Sequence, residues 1–295
     1  MTTRLLTRVK SKLFVHSRRR SRNVLEGEFA SVFHGRSLDY DDLRDYVPGD
    51  EVRDIDWKAT ARHTSPLVRR YVATRKQNVM LVIDTGRGMA AAARGGEPKK
   101  SVAITAAGLV GYLAQRHGDL VGLVRGDATS TVAHELRGSE AHLERLLRAI
   151  DAATTLDGEA SNLAAQLQWI VRNVRRRLLL LVVADDVELD TALSDLLRRL
   201  HVQHEILWLT VEDADPTSVD PDRTAVDVAD HYTIPTFVRT NAAVKAAYAQ
   251  AVAERTRATN AVLDGAGINH IRVGSSDDVL LAVFTLLERQ RRASR

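Results

Sequence analysis

Two short runs of uninterrupted apolar residues, each ending on an aspartate, constrain the fold more than any other feature. They are Val79–Asp84 (VMLVID) and Leu178–Asp185 (LLLLVVAD). Apolar runs of this length, without alternation, suit strands covered on both faces, as in a parallel sheet with helices on either side. The segments around them alternate in the same sense. Pro98–Arg116 carries Ala103, Ala106, Ala107, Val110, Leu113 and Ala114 at helical spacing. Leu120–Val124 and Ser130–Leu136 predict two strands around a Gly126-Asp127 hairpin turn. Helices are predicted at Ser139–Ile150, with Ser139 as N-cap, at Ser161–Val174 and at Thr191–Leu200. Glu205–Val211 predicts a strand. Ala242–Leu263 predicts a long helix stopped by Gly265 and Gly267. Ile268–Val273 and Asp277–Arg291 predict a last strand and helix.

This alternation predicts an α/β domain built on a doubly wound, mostly parallel sheet, over residues 78–295. Residues 23–77 read as a small irregular charged subdomain, and residues 1–22 as a basic arm. Two strands as apolar as those ending at Asp84 and Asp185 are expected side by side in mid-sheet. Their carboxylates then converge on the strand C-terminal rim, where such sheets bind ligands.

The charge is unevenly placed. The chain of 295 residues has a formal net charge of +4. Residues 1–22 hold eight Lys or Arg and no acid, leaving 34 basic against 38 acidic residues in the remainder. Leu5, Leu6, Val9, Leu13 and Phe14 sit among those cations, in a pattern that can lie on an anionic membrane surface or on nucleic acid. There is no cysteine, which excludes disulfides, cysteine-ligated zinc, iron–sulfur clusters and a thiol nucleophile. It also fits a reducing, cytoplasmic setting, peripheral to the membrane if the arm engages it. The longest apolar run, seven residues at Leu178–Ala184, is far short of the ~20 that span a bilayer.

The segment after the first acid-terminated strand, Asp84-Thr85-Gly86-Arg87-Gly88-Met89, resembles the start of a von Willebrand factor A domain, whose pattern is D-x-S-x-S. Ser161 stands where that family has a threonine, and Asp185 matches the aspartate ending its fourth strand. The resemblance implies a metal-ion-dependent adhesion site, at which a partner protein donates a carboxylate to the metal. The sequence departs from the pattern at both serines, which are Gly86 and Gly88. The rim is therefore read as degenerate: Asp84, Ser161 and Asp185 remain as ligands for Mg2+ or Mn2+, oxygen-seeking ions. Arg87 would repel a metal if it pointed inward. The opposing expectation is that Asp84 and Asp185 cap helices and tie loops together.

Other chemistry finds little support. There is no nucleophile elbow, phosphate-binding loop or zinc-protease helix motif, and Gly86 sits where an aspartyl phosphotransferase needs a second acid. His201 and His204 read as ordinary surface residues. Asp39, Asp41 and Asp42 resemble a calcium loop, but Arg44 and Asp50 replace its required glycine and glutamate.

The most specific stretch precedes the sheet: GEFASVF at 27–33, then LDYDDLRDYVPGDEVRDIDWKATAR at 38–62. Val47-Pro48-Gly49-Asp50 predicts a turn. Eight acids between Asp39 and Asp56 face a following set of cations, so the two blocks should pair, locally or against the sheet. Tyr40, Tyr46, Ile55 and Trp57 are candidate anchors. Leu67–Val72 reads as a strand entering the main domain. The stretch closely resembles the signature of a bacterial family known as domain of unknown function fifty-eight. That family couples such a segment to a von Willebrand A-like domain, and its genes commonly neighbour those of MoxR-type AAA+ ATPases. The resemblance implies a non-enzymatic adaptor or co-chaperone of such an ATPase. Arg44, Tyr46, Pro48, Gly49, Asp50, Arg53, Asp56, Trp57 and Arg62 then form either a clamp joining the segment to the sheet or a docking surface. Two further functions stay open. One is a metal-dependent hydrolase or nuclease using Asp84 and Asp185. The other is a nucleic-acid or membrane-surface binder acting through residues 1–22.

Overall fold

A computed structural model describes residues 4–17, 39–63, 65–72, 78–220, 224–229 and 231–293. The sheet of the main body has six strands: β3 (Val79–Asp84), β4 (Val121–Gly126), β5 (Thr131–Arg137), β6 (Leu179–Ala184), β7 (Glu205–Val211) and β8 (Asn269–Val273). Their spatial order is β5-β4-β3-β6-β7-β8. All neighbours are parallel except β5, which returns antiparallel beside β4 through the predicted hairpin. Counted within the sheet, this is the third-second-first-fourth-fifth-sixth order of a doubly wound fold. Winding reverses between β3 and β6, the two acid-terminated strands, which pair directly, Leu81 opposite Leu181.

Alternate side chains of the central strands enter different cores, which is why these strands are apolar throughout. Val79, Leu81 and Ile83 join Leu179, Leu181 and Val183 under α3 (Lys99–Arg116), α4 (Glu140–Ala153) and α9 (Val279–Ala293). Met80, Val82, Leu180 and Val182 face α5 (Leu163–Asn173), α6 (Thr191–Gln203) and the C-terminal end of α8 (Ala242–Gly265). The short α7 (Thr236–Thr240) precedes α8. Gly267 takes φ 70° just past α8, the left-handed conformation that stops a helix. The start of α5 differs from the expected boundary: Asn162, not Ser161, is its N-cap, with Oδ1 accepting from Ala165 N–H at 3.1 Å. Ser161 is thereby left in the rim loop.

The N-terminal basic stretch is partly built into the body. Leu5–Ser17 forms α1, which buries Leu6 and Val9 against α3 and α4. The Glu144 carboxylate accepts from the Leu5 and Leu6 N–H groups at 3.2 and 2.8 Å, complementing the positive end of the helix. Lys10 pairs with Glu140 at 2.6 Å and Lys12 with Asp277 at 2.9 Å. Much of the apolar side considered for a membrane surface is therefore occupied by the protein itself. Residues 18–22, which carry the remaining cations of the arm, lie outside the described residues.

The signature segment makes its own ribbon. β1 (Asp39–Asp45) pairs antiparallel with β2 (Leu67–Val72), and the register sets Asp42 opposite Arg70 and Leu43 opposite Arg69. The strand that carries four of the eight acids thus pairs along its backbone within the same segment. β2 completes this ribbon instead of entering the six-stranded sheet. A strand over residues 39–45 also disposes of the calcium-loop resemblance. Ile55, Leu67 and Val68 are buried in the ribbon unit, with Ile55 bridged to Val68. Residues 18–38 and 73–77 lie outside the described residues, GEFASVF included.

Candidate functional site

Asp84 ends β3 at the winding reversal and is fully buried. Its Oδ1 accepts from the Gly86 N–H at 2.9 Å, closing the loop that follows the strand. Its Oδ2 is buried without a hydrogen-bond partner of good geometry. Burial raises the Asp84 pKa to about 6, against the pull of the nearby Ser161 hydroxyl and the Gly86 N–H. The neighbouring Asp185 carboxylate adds to the rise, and Lys99 opposes it.

Ser161 and Asp185 converge on Asp84, but the serine positions of the von Willebrand pattern leave no room. A Cβ on Gly86 would lie 2.5 Å from both the backbone nitrogen and the Oγ of Ser161. A Cβ on Gly88 would lie 2.6 Å from Asp185 Oδ2. The two glycines allow the Ser161 loop and Asp185 to close into the space that serine side chains would fill. The Arg87 N–H donates to Glu159 O at 2.8 Å and fastens the same two loops. The Arg87 guanidinium donates to Ala229 O at 2.5 Å rather than to either rim carboxylate.

The cation at this rim is Lys99, which no sequence motif marks. Lys99 opens α3, and only 1% of its side chain is exposed. Its Nζ donates to Asp185 Oδ1 at 2.7 Å and to Asp213 Oδ1. Burial alone would lower its pKa, but the two carboxylates prevail and raise it, keeping the ammonium charged. Asp213 lies just past β7 as Asp185 follows β6; its side chain is 43% exposed, and partial loss of solvation, then the Asp185 charge, raise its pKa despite the lysine. The strand-end logic that points to Asp84 and Asp185 extends to Asp213. Nothing in the sequence distinguishes Lys99 from the adjacent Lys100.

A second layer ties the rim strands together. Asp186 is paired by both Arg272 of β8, at 3.0 Å, and Arg255 of α8, at 3.2 Å. Glu212, just past β7, takes Arg272 at 3.3 Å and Arg94 at 2.7 Å. Burial works to raise the Asp186 pKa, and the two guanidiniums outweigh it and hold the group below the usual carboxylate range.

The residues present do not fit a divalent metal at the von Willebrand position. Two hydroxyl ligands are replaced by glycines pressed against Ser161 and Asp185, and an ammonium already engages Asp185. Among the described residues no three His, Asp or Glu side chains are arranged as a metal cage. His204 is buried, contrary to the surface position expected of it. Its Nδ1 accepts from Leu178 N–H at 3.3 Å, and burial, followed by Arg177, lowers its pKa. It fixes the entry to β6.

The signature residues divide into two groups. Arg44, Asp50 and Asp56 are local fasteners. The Arg44 guanidinium donates to Asp50 Oδ1 at 2.6 Å, and Asp50 Oδ2 accepts from Val47 N–H at 3.0 Å. The Asp50 N–H closes the Val47-Pro48-Gly49-Asp50 turn on Val47 O at 3.0 Å, with Gly49 at φ 115°. Tyr46, half-buried, donates its N–H to Pro66 O at 2.8 Å. Asp56 caps the single-turn α2 (Trp57–Thr60), accepting from Lys58 and Ala59 N–H at 3.0 Å each. Arg53, Trp57 and Arg62 instead are exposed to solvent. The Arg53 side chain is 79% exposed and pairs with its neighbour Glu51, and Trp57 is 63% exposed. Val47 and Val52 are exposed in the same segment. The bonds of Arg44, Asp50 and Asp56 given above are internal to the ribbon unit, where a clamp to the sheet was one of the two expectations.

Among known proteins, an uncharacterised protein of Mycobacterium tuberculosis is 28% identical over 198 residues, covering 67% of this chain. This chain spans 61% of the length of that relative. An aerotolerance-related membrane protein from Bacteroides fragilis matches in structure at a TM-score of 0.45 and 14% identity, covering 72% of this chain and 99% of that one. A von Willebrand factor type A protein from Catenulispora acidiphila matches at 0.41 and 9%, covering 75% and 43%. No helix among the described residues is long and apolar enough to cross a membrane. The family model described as "Protein of unknown function DUF58" matches residues 42–258, most of the chain, and this protein belongs to that family.

Proposed function

We propose that this chain is a non-catalytic protein-interaction module, an adaptor for a MoxR-type AAA+ ATPase, which docks through the ribbon unit of residues 39–72. The observation that carries this reading is Trp57, left 63% exposed in the most distinctive segment of the sequence. An exposed tryptophan beside arginines has the composition of a binding hot spot, where a few large anchors supply most of the energy. It is accompanied by the exposed Arg53 and Arg62 and held on a turn that Asp56 caps. The partner class comes from the family resemblance. The rim is a poorer contact face than its chemistry suggested, because Asp84 and Gly86 are buried.

Two kinds of variant separate docking from folding. Trp57→Ala and Arg53→Ala should keep the circular dichroism spectrum and lose capture of a MoxR-type ATPase from the same genome. Asp56→Ala should loosen the ribbon unit first. Unchanged capture by both surface variants would overturn the docking assignment, and no capture by the wild type in any nucleotide state would overturn the partner.

A further inference from the structure

We infer that Lys99 is a tethered cation that permanently takes the role a divalent metal plays in von Willebrand A adhesion sites, so that this rim is closed by a lysine and independent of metal. The inference does not depend on the docking proposal.

Three observations converge on it. First, the ammonium joins the same kind of groups that a metal would join. It bridges the acid after β6 to the acid past β7, Asp185 and Asp213, from a side chain that is 1% exposed. Lysine supplies one compact charge with three donors, and two are engaged by these carboxylates. Second, the hydroxyl ligands are absent for a steric reason as well as a chemical one. Gly86 and Gly88 lie so close to Ser161 and Asp185 that side chains there would overlap them. Losing the serines and holding the lysine are two parts of one exchange, which replaces a metal cavity with a direct ion pair. Third, one acid is left over. Asp84 Oδ2 is fully enclosed and has no hydrogen-bond partner of good geometry, and the ammonium pairs with Asp185 and Asp213 instead of with it.

The consequence concerns recognition. A metal in an adhesion site keeps an open position for a partner's carboxylate. Here the cation is an ammonium on a side chain only 1% exposed, already shared by Asp185 and the partly exposed Asp213, so it offers no such position. Binding at this rim is therefore not switched by divalent cations, nor by an acidic side chain inserted from outside.

The test uses the full chain and Mn2+ as probe. Wild-type protein should show no bound Mn2+ by electron paramagnetic resonance at millimolar ion, and no shift in its thermal midpoint. Lys99→Met keeps the length of the stem and removes the charge, leaving Asp84, Asp185 and Asp213 without the ammonium. This variant should melt several degrees below the wild type, with or without Mn2+, because Asp185 and Asp213 lose the cation they share. In the wild type, Lys99 should also resist acetylation under conditions that modify the exposed Lys245. Stoichiometric Mn2+ binding by the wild type, ready acetylation of Lys99, or a folded Lys99→Met variant that melts with the wild type would each overturn the inference. Should Lys99→Met fail to fold, the two wild-type measurements decide.

Discussion

Replacing Asp84 with asparagine tests whether the rim holds an uncompensated buried carboxylate. In the folded protein this group has its pKa raised from 3.8 to about 6, chiefly by burial. The folded state then holds the proton more tightly than the unfolded chain, so stability falls as pH rises between those two values. At about 1.4 kcal/mol per pKa unit, the ionised carboxylate costs about 3 kcal/mol above pH 7. Roughly half of that is already incurred at pH 5, where the unfolded chain is almost wholly ionised at this position. Asparagine keeps an oxygen for the Gly86 N–H and never carries the charge. Urea denaturation of both proteins at pH 5 and pH 8 should show the variant gaining about 1 to 1.5 kcal/mol on the wild type between the two. Acids with lowered pKa values, such as Asp186 and Glu144, give both proteins the opposite slope and cancel in the difference. Parallel pH profiles would show that Asp84 titrates normally, and the reasoning from burial would fail.

Other outcomes follow from the same geometry. Gly86→Ser should destabilise by about 1–3 kcal/mol in a denaturant melt, because its side chain meets backbone atoms of Ser161. Gly88→Ser should cost less, since there the Asp185 side chain can yield, and neither change should confer Mg2+ affinity in calorimetry. Asp56→Ala should lower stability by about 1 kcal/mol through loss of the cap on α2, read as faster proteolysis within residues 39–72. Leu6→Ala should cost about 2–5 kcal/mol in the same melt because α1 is part of the body, whereas a free basic arm would lose almost nothing.

The parts of this molecule differ in how far the sequence alone discloses them. The sheet is legible because a strand buried on both faces must be apolar throughout, and β3 and β6 show that pattern with an acid at the end. Their adjacency at the winding reversal follows from the same fact. The ribbon is harder to read. Asp39–Asp45 is a poor strand by propensity, and backbone pairing with β2 makes it one, a choice that local pattern does not contain. The helix α1 is visible as amphipathic, but an apolar side among cations fits a membrane as well as it fits α3 and α4. At the rim, glycines in place of serines signal a weakened metal site, and nothing signals its replacement. Lys99 is one of two consecutive lysines opening a helix, and only the folded chain shows which of them turns inward.

The central claim is that the signature ribbon is a docking surface, and Trp57 tests it most directly. The measurement is a calorimetric titration of a MoxR-type ATPase from the same genome with the wild-type chain and with Trp57→Ala. A hot-spot tryptophan is worth about 2 kcal/mol or more, so the variant should bind about 30-fold more weakly while its thermal midpoint stays unchanged. Equal affinity of the two proteins would contradict the account.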